Sequence, residues 1–415
     1  MNNIETILHY IALEKKRQTN GMELIPSENY VSTNVLKALG SILTNKYSEG
    51  YPGARYYGGQ ENIDLIESKA IELVTSLFGC KFANVQPYSG TPANLAVYNA
   101  LLEPGDVILS MALDMGGHLS HGYKITLSGK IYHAINYGVK LDGPEKGYIN
   151  YEQVEALAKE HKPKMIIAGG SAYPRIIDFV RFSKIAKSVN ALLFVDMAHI
   201  AGLVAGGAHP SPFPYADVVA TTTHKTMRGP RGGVILTNNE DYAKAINKAV
   251  FPGMQGGPHD NNTAAKAICF AEALEPSFNK YAKNVVDNAK ILAETINKAN
   301  TPNNSMVFSG GTDNHLLLVD VTPFGISGKT AQEILDTIHI TVNKQMLPGD
   351  TRKPSDPSGI RLGSPAMTTR GFGKKEFTLV GKWIVNALAN PEDIKLHKKL
   401  AKEVTALCKQ FPLPH

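Results

Sequence analysis

Cysteine is scarce in this 415-residue chain. Cys80, Cys269 and Cys408 are odd in number, far apart and without a C-x-x-C spacing. That argues against a disulfide framework or a zinc site and fits a reducing compartment. Charge is modest as well, with 19% charged residues and a formal net charge of +6. So small an excess does not mark a nucleic-acid binder, although it suits anionic small ligands such as phosphates and carboxylates. No apolar run approaches the roughly 20 residues needed to span a bilayer. At the N-terminus, Ile4, Ile7, Leu8 and Ile11 form a helical stripe interrupted by charge, not an unbroken secretory segment. A cytoplasmic protein is expected, with neither membrane nor nucleic acid as a partner. Also missing are a G-x-x-x-x-G-K-[ST] loop and a G-x-G-x-x-G turn, so nothing supports a nucleotide site.

What the chain does have is a hydrophobic content of 43%, enough for a substantial core. KFANVQP, PGDVILSM, KPKMIIAGG, ALLFVDMA, ADVVATTT and GGVILTN read as buried strands, with amphipathic stretches such as PANLAVYNALLE and DFVRFSKIAKSVN between them. Alternating βα units predict an α/β fold whose mostly parallel sheet lies between helices. The texture then changes to a long helical stretch over residues 267–300, the run NHLLLVDVT, a Pro/Gly-rich loop and two terminal helices separated at Asn390-Pro391. Expected divisions are an N-terminal helical arm over 1–20, a large domain over 21–275 and a smaller α/β domain over 276–415. The lysine-rich tail places Leu396, Leu400, Val404 and Leu407 on one face, so its charges form a solvated helix surface.

In such sheets ligands gather at the carboxyl ends of strands, and two of these ends carry chemistry. Asp196 follows the apolar run ALLFV, and Lys225, in TTTHKTMRGPRGG, follows ADVVATTT. A lone strand-end Asp reads equally well as a helix cap. Paired with a buried lysine, it matches what pyridoxal 5'-phosphate needs: a carboxylate for the protonated ring nitrogen and an amine for covalent attachment. Ser89-Gly90-Thr91 lies between a strand and a helix, where free N–H groups and hydroxyls form an anion cup, although Ser and Thr cap ordinary helices too. The stretch FPGMQGGPH (251–259) could close over the same phosphate or form a tight interface turn. His118 and His121 have a spacing open to a metal but no acidic or cysteine partner nearby, so no metal is expected. TNKYSEGYPGARYYGG (44–59) packs four tyrosines, Glu49, Arg55 and four glycines into sixteen residues, which suits a binding loop, an interface or both.

Taken in order, ELIPSENY, TNKYSEGYPGARYYGG, GGHLSHG, VDMAHIAGLVA, TTTHKTMRGPRGG, FPGMQGGPH and SGGTDNHLLLVD closely resemble serine hydroxymethyltransferase, a fold-type I pyridoxal phosphate family, over nearly the whole chain. The resemblance implies that Lys225 holds the cofactor, with Asp196 on the ring nitrogen, His118 stacked on the ring and His199 on its hydroxyl side. Ser89, Gly90 and Thr91 would hold the phosphate, joined by Gly257 from a partner subunit, and Ser171 would also bind the cofactor. Arg361, Ser27, Tyr47 (from the neighbouring chain) and Arg231 would bind the amino-acid substrate. Glu49, Tyr56, Tyr57, Leu113, Gly117, His118, Leu119 and Asn343 would line the site of tetrahydrofolate, the co-substrate. Glu49, His224, Tyr57 and Thr222 would join Lys225 in catalysis. The implied activity is reversible transfer of the hydroxymethyl group of serine to tetrahydrofolate by a homodimer with shared active sites. Departures from the family pattern include Pro26, Ala54, Ala220 and Thr91, and the loop KPSDPSGIR lacks the aromatic that bacterial members often present to folate. A folate-independent aldolase or transaldolase acting on threonine-like β-hydroxy amino acids is the alternative.

Overall fold

The computed structural model describes residues 2–298 and 306–415. The chain forms two compact units: Val31–Lys283, and Met1–Tyr30 together with Asn284–His415.

In the first unit a seven-stranded sheet has the order Phe82–Asn84, Gly233–Thr237, Val218–Thr222, Leu192–Asp196, Met165–Ala168, Val107–Met111, His133–Tyr137. All its strands run the same way except Gly233–Thr237, which is antiparallel to both neighbours. Six of these strands coincide with the apolar runs. The seventh, His133–Tyr137, is an edge strand with only Tyr137 fully buried, so it lacks the apolar signature. Side chains alternate across a strand. Ile108, Met165, Ile167, Phe194, Val218 and Ile235 pack on Ala93, Ala96, Val97 and Tyr98 of helix Gly90–Leu101. The intervening Leu109, Ile166, Leu193, Val195 and Val219 are 0–1% exposed, so the opposite face is covered as well. A sheet buried on both faces explains why its strands read as continuous apolar runs.

The second unit has an antiparallel sheet of Leu316–Asp320, Gly359–Gly363 and Asn343–Gln345 against helices Gly328–Thr337, Lys374–Ala389 and Ile394–Gln410. Residues 21–30 pack with this unit, although the sequence placed them at the start of the large domain. Met22–Glu23 pairs in parallel with Ile340–Thr341, and Met22 and Leu24 enter the same core as Leu317, Ile360 and Phe377. The buried Arg370 guanidinium donates to the carbonyls of Gln18, Thr19 and Gly21 and to those of Cys408 and Phe411, joining the two ends of the chain. The helical stretch expected over 267–300 consists of two helices, Asp260–Leu274 and Pro276–Asn297. Pro276 opens the second because a proline lacks the N–H that a continuing helix requires. Residues 299–300 of that expectation lie outside the described residues.

Candidate active site

The carboxyl ends of the large sheet hold a buried polar network centred on Asp196. Its Oδ2 accepts from Asn94 Nδ2 at 2.8 Å and lies 3.0 Å from His121 Nε2, while its Oδ1 accepts from the Ala198 N–H at 2.9 Å. His121 Nδ1 lies 2.6 Å from the Tyr98 hydroxyl. Complete burial keeps that phenol protonated by raising its pKa well above the usual value. Tyr98 and Asp196 thus bracket the His121 ring, one at each nitrogen. Burial alone would raise the Asp196 carboxyl. The His121 hydrogen bond and the charges of His121, His118 and Lys225 outweigh it and hold the group far below the ordinary carboxylate range. Asp196 is thus a fixed anion. Asn94 also donates to the Ser120 hydroxyl at 2.9 Å, and that hydroxyl lies 2.7 Å from His118 Nδ1, so the network reaches His118.

Lys225 follows the neighbouring strand and is 9% exposed. Its turn is braced on both sides. Thr223 Oγ1 donates to the Pro230 carbonyl at 2.5 Å, and Thr226 Oγ1 donates to the His199 carbonyl while accepting from the Gly202 N–H, both at 2.9 Å. Burial, with the charges of Lys225 and Arg231 adding, pushes the His224 imidazole down to about 3. Its buried Nδ1 has no hydrogen-bond partner among the described residues, and neither does Asn94 Oδ1.

Helix Gly90–Leu101 opens without a side-chain cap: the Ser89 hydroxyl makes no capping bond. Uncapped N–H groups here leave a positive end for an anion. Gly90 is required by its neighbour, since a Cβ at this position would lie 2.7 Å from Thr222 Cγ2. The anion cup and the lysine-bearing strand are therefore in van der Waals contact. Ser171 lies in the turn after Met165–Ala168, where its N–H and that of Ala172 both donate to the Gly116 carbonyl. The adjacent loop keeps Gly117 buried and leaves Leu113 and Leu119 exposed.

A second group lies in the same unit. The Tyr47 hydroxyl lies 3.3 Å from Glu49 Oε1, the Tyr47 and Tyr57 rings meet edge-on at 5.2 Å, and Tyr56 meets Phe251 at 5.6 Å. A Cβ on Gly257 would lie 3.3 Å from the Tyr47 ring, so the glycine-rich stretch is seated on this tyrosine. Beneath it, the Arg55 side chain is 3% exposed and pairs with Glu67 at 2.6 Å and Asp64 at 2.9 Å, while Ser48 donates to Asp260. Tyr47, Tyr56 and Tyr57 nevertheless remain exposed. Arg231 lies on the surface of the turn after Lys225.

The remaining candidates belong to the second unit. Arg361 Nε donates to Asn343 Oδ1 at 3.2 Å across adjacent strands, and burial pushes its guanidinium down to about 10. Ser27 follows Pro26, which packs so tightly on Gly363 that a Cβ there would lie 2.6 Å from Pro26 Cα. Ser27 and Arg361 are thus in neighbouring segments despite their distance in sequence.

The chain matches the serine hydroxymethyltransferase family model over residues 2–384. The chain belongs to the serine hydroxymethyltransferase family. It is 55% identical over 408 residues to the serine hydroxymethyltransferase of Desulfotalea psychrophila, covering 98% of this chain and 94% of that one. It is 56% identical over 408 residues to serine hydroxymethyltransferase 3 of Colwellia psychrerythraea, covering 97% and 93%. Serine hydroxymethyltransferases are fold-type I enzymes that depend on pyridoxal phosphate and use tetrahydrofolate as co-substrate. The residues present fit that cofactor: a buried lysine, an anion held ionised on the adjacent strand, an uncapped helix end whose glycine leaves room beside them, and two buried polar atoms awaiting partners.

His121, Asn94 and Tyr98 hold Asp196 and were not singled out for that role from sequence. His121 carries a signal in GGHLSHG, but the readings open to that motif, a metal pair, a structural histidine or an imidazole on the cofactor ring, do not point to a carboxylate partner. Asn94 and Tyr98 sit among the apolar residues of a helix, where nothing in composition separates a hydrogen-bond partner from core.

Proposed function

We propose that the chain catalyses reversible transfer of the hydroxymethyl group of serine to tetrahydrofolate, giving glycine and 5,10-methylenetetrahydrofolate. The observation that carries this reading is the ionised Asp196, clamped by His121 and Asn94, on the strand next to the one that delivers Lys225. When bound, pyridoxal phosphate supplies an electron sink for cleavage at the substrate α-carbon. Lys225 Nζ would attach it, Asp196 would hold a proton on the ring nitrogen, His118 would stack on the ring and His199 would face its hydroxyl side. Ser89, Gly90 and Thr91 would cradle the phosphate, and Ser171 would touch the cofactor as well. His224, kept neutral, would leave the lysine without a competing positive charge. Arg361 would fork onto the substrate carboxylate with Ser27 and Arg231 beside it; a buried guanidinium gains from an incoming anion. Glu49 would move the proton at the hydroxymethyl oxygen, with Tyr57 and Thr222 orienting the substrate. Tyr56, Leu113, Gly117, Leu119 and Asn343 would line the folate site.

A homodimer with shared sites belongs to the same proposal. Tyr47, Tyr56 and Tyr57 are exposed next to Gly257, and helix Asn3–Asn20 buries none of its residues while exposing Ile4, Ile7, Leu8 and Ile11. Apolar surface of this kind favours a subunit contact. Three free cysteines and the absence of any described helix long and apolar enough to cross a membrane support a cytoplasmic location.

The test is the visible absorbance of the purified protein in glycine, before and after tetrahydrofolate is added. A new long-wavelength band that needs both compounds supports the transferase. A spectrum that responds to glycine and ignores tetrahydrofolate overturns it in favour of the folate-independent aldolase.

A further inference from the structure

Helix Asp260–Leu274 turns a lysine inward. Lys266 is 1% exposed, and its Nζ donates to the carbonyls of Val85 at 2.6 Å, Pro87 at 3.0 Å and Gly233 at 3.0 Å. An ammonium has three N–H donors, and here each has an acceptor. The arrangement is costly, because a cation is taken out of water with no carboxylate bonded to it. Burial pushes Lys266 down to about 7, and Glu67 is the charge that opposes the shift. A methionine would fill similar volume without that penalty, so the fold needs no lysine here for packing.

The three carbonyls show what the lysine ties together. Val85 and Pro87 follow the strand Phe82–Asn84 and lead into Ser89, whereas Gly233 begins the strand that returns from the Lys225 turn. The same two segments share the bond from the Gly233 N–H to the Pro87 carbonyl at 3.0 Å. Gly233 backs directly onto the anion cup, since a Cβ there would lie 2.4 Å from the Ser89 carbonyl oxygen. The lysine stem presses on the preceding residue in the same way: a Cβ on Gly232 would lie 2.2 Å from Lys266 Cε.

We propose that Lys266 is a positioning residue for the cofactor phosphate, fixing the Pro87–Ser89 turn so that Ser89, Gly90 and Thr91 are aimed before the phosphate arrives. This rests on the reading that the Ser89 turn holds the phosphate of pyridoxal phosphate. Pre-aimed donors raise affinity because their ordering cost is already met in the free protein. The effect falls on the phosphate end, because none of the three carbonyls belongs to the strands Val218–Thr222 and Leu192–Asp196, which lead to Lys225 and carry Asp196.

The experiment compares apo-protein of the wild type, Lys266→Met and Lys266→Gln, each titrated with pyridoxal phosphate and with pyridoxal, which lacks the phosphate. Uptake is followed by absorbance. Both variants should lose on the order of ten- to a hundredfold in affinity for pyridoxal phosphate, the cost of freeing the three carbonyls. Their affinity for pyridoxal should stay at the wild-type value. Equal losses for both ligands, or no loss for either, overturn the proposal. Failure of both variants to fold overturns it too, because Lys266 would then serve the fold and not the cup. A wild-type protein that takes up neither compound removes the cofactor reading itself, and that result is seen before any variant is made.

Discussion

Two groups of side chains in the large unit are built in opposite ways. Around Asp196 and Lys225 the chain supplies its own partners: a buried carboxylate has two side-chain donors, and the lysine turn is braced by two threonines. Around Tyr47 and Glu49 the support is buried but the working face is open. Arg55, Glu67, Asp64, Ser48 and Asp260 lock the loop from beneath, while three tyrosines stay in solvent. The contrast teaches that in the first group the chain satisfies its own buried polar groups, whereas the second leaves its tyrosines open, as the proposed shared site requires.

The sharpest way to break that comparison is to divide the site between chains. Lys225→Ala and Glu49→Ala should each lose activity, the former on the order of a thousandfold or more. If Glu49 serves the neighbouring subunit, mixing the two inactive variants under exchange gives hybrid dimers with one intact site, recovering about a quarter of wild-type activity. A mixture that stays inactive would place both groups in the same chain's site. Next in size, Asp196→Asn should lower turnover by about 10²- to 10³-fold while leaving covalent uptake on Lys225 intact, as removal of one preorganised electrostatic partner does. Turnover within tenfold of wild type would mean that the ionised carboxylate is not what the reaction uses.

The smallest effect is a pH dependence confined to the first group. His224 sits at about 3 in the folded protein against a usual 6.5. Between those values the unfolded chain binds a proton that the folded one refuses, so stability rises with pH across this window and is fully present above it. His224→Asn in the apo-protein should flatten the slope of unfolding free energy by up to about 1.4 kcal/mol per pH unit between pH 4 and 6. Denaturant melts at several pH values measure this directly. An unchanged slope would mean that His224 takes up its proton without unfolding the chain.

The large sheet was legible because its strands are buried on both faces and so read as apolar runs, and the positions of Asp196 and Lys225 followed from where those runs stop. The edge strand His133–Tyr137 was not, since a half-covered strand alternates weakly. Asn94, Tyr98 and Lys266 were invisible for another reason. Each is a polar residue on a core-facing helix, and its value lies in acceptors that the sequence places far away, such as Val85 and Gly233 for Lys266. The pairing of residues 22–23 with 340–341 involves only two residues on each side, too few for any periodicity to register.

That last pairing also orders events during synthesis. Every residue of Val31–Lys283 leaves the ribosome before the partners of Met22 and Leu24 exist. At bacterial-to-eukaryotic elongation rates the wait is roughly fifteen seconds to a minute. The large unit can therefore fold on the nascent chain while the first thirty residues trail as an unpaired leader. A chain terminated shortly before residue 340 would leave that leader permanently exposed, offering quality-control proteases an apolar handle on an otherwise finished domain.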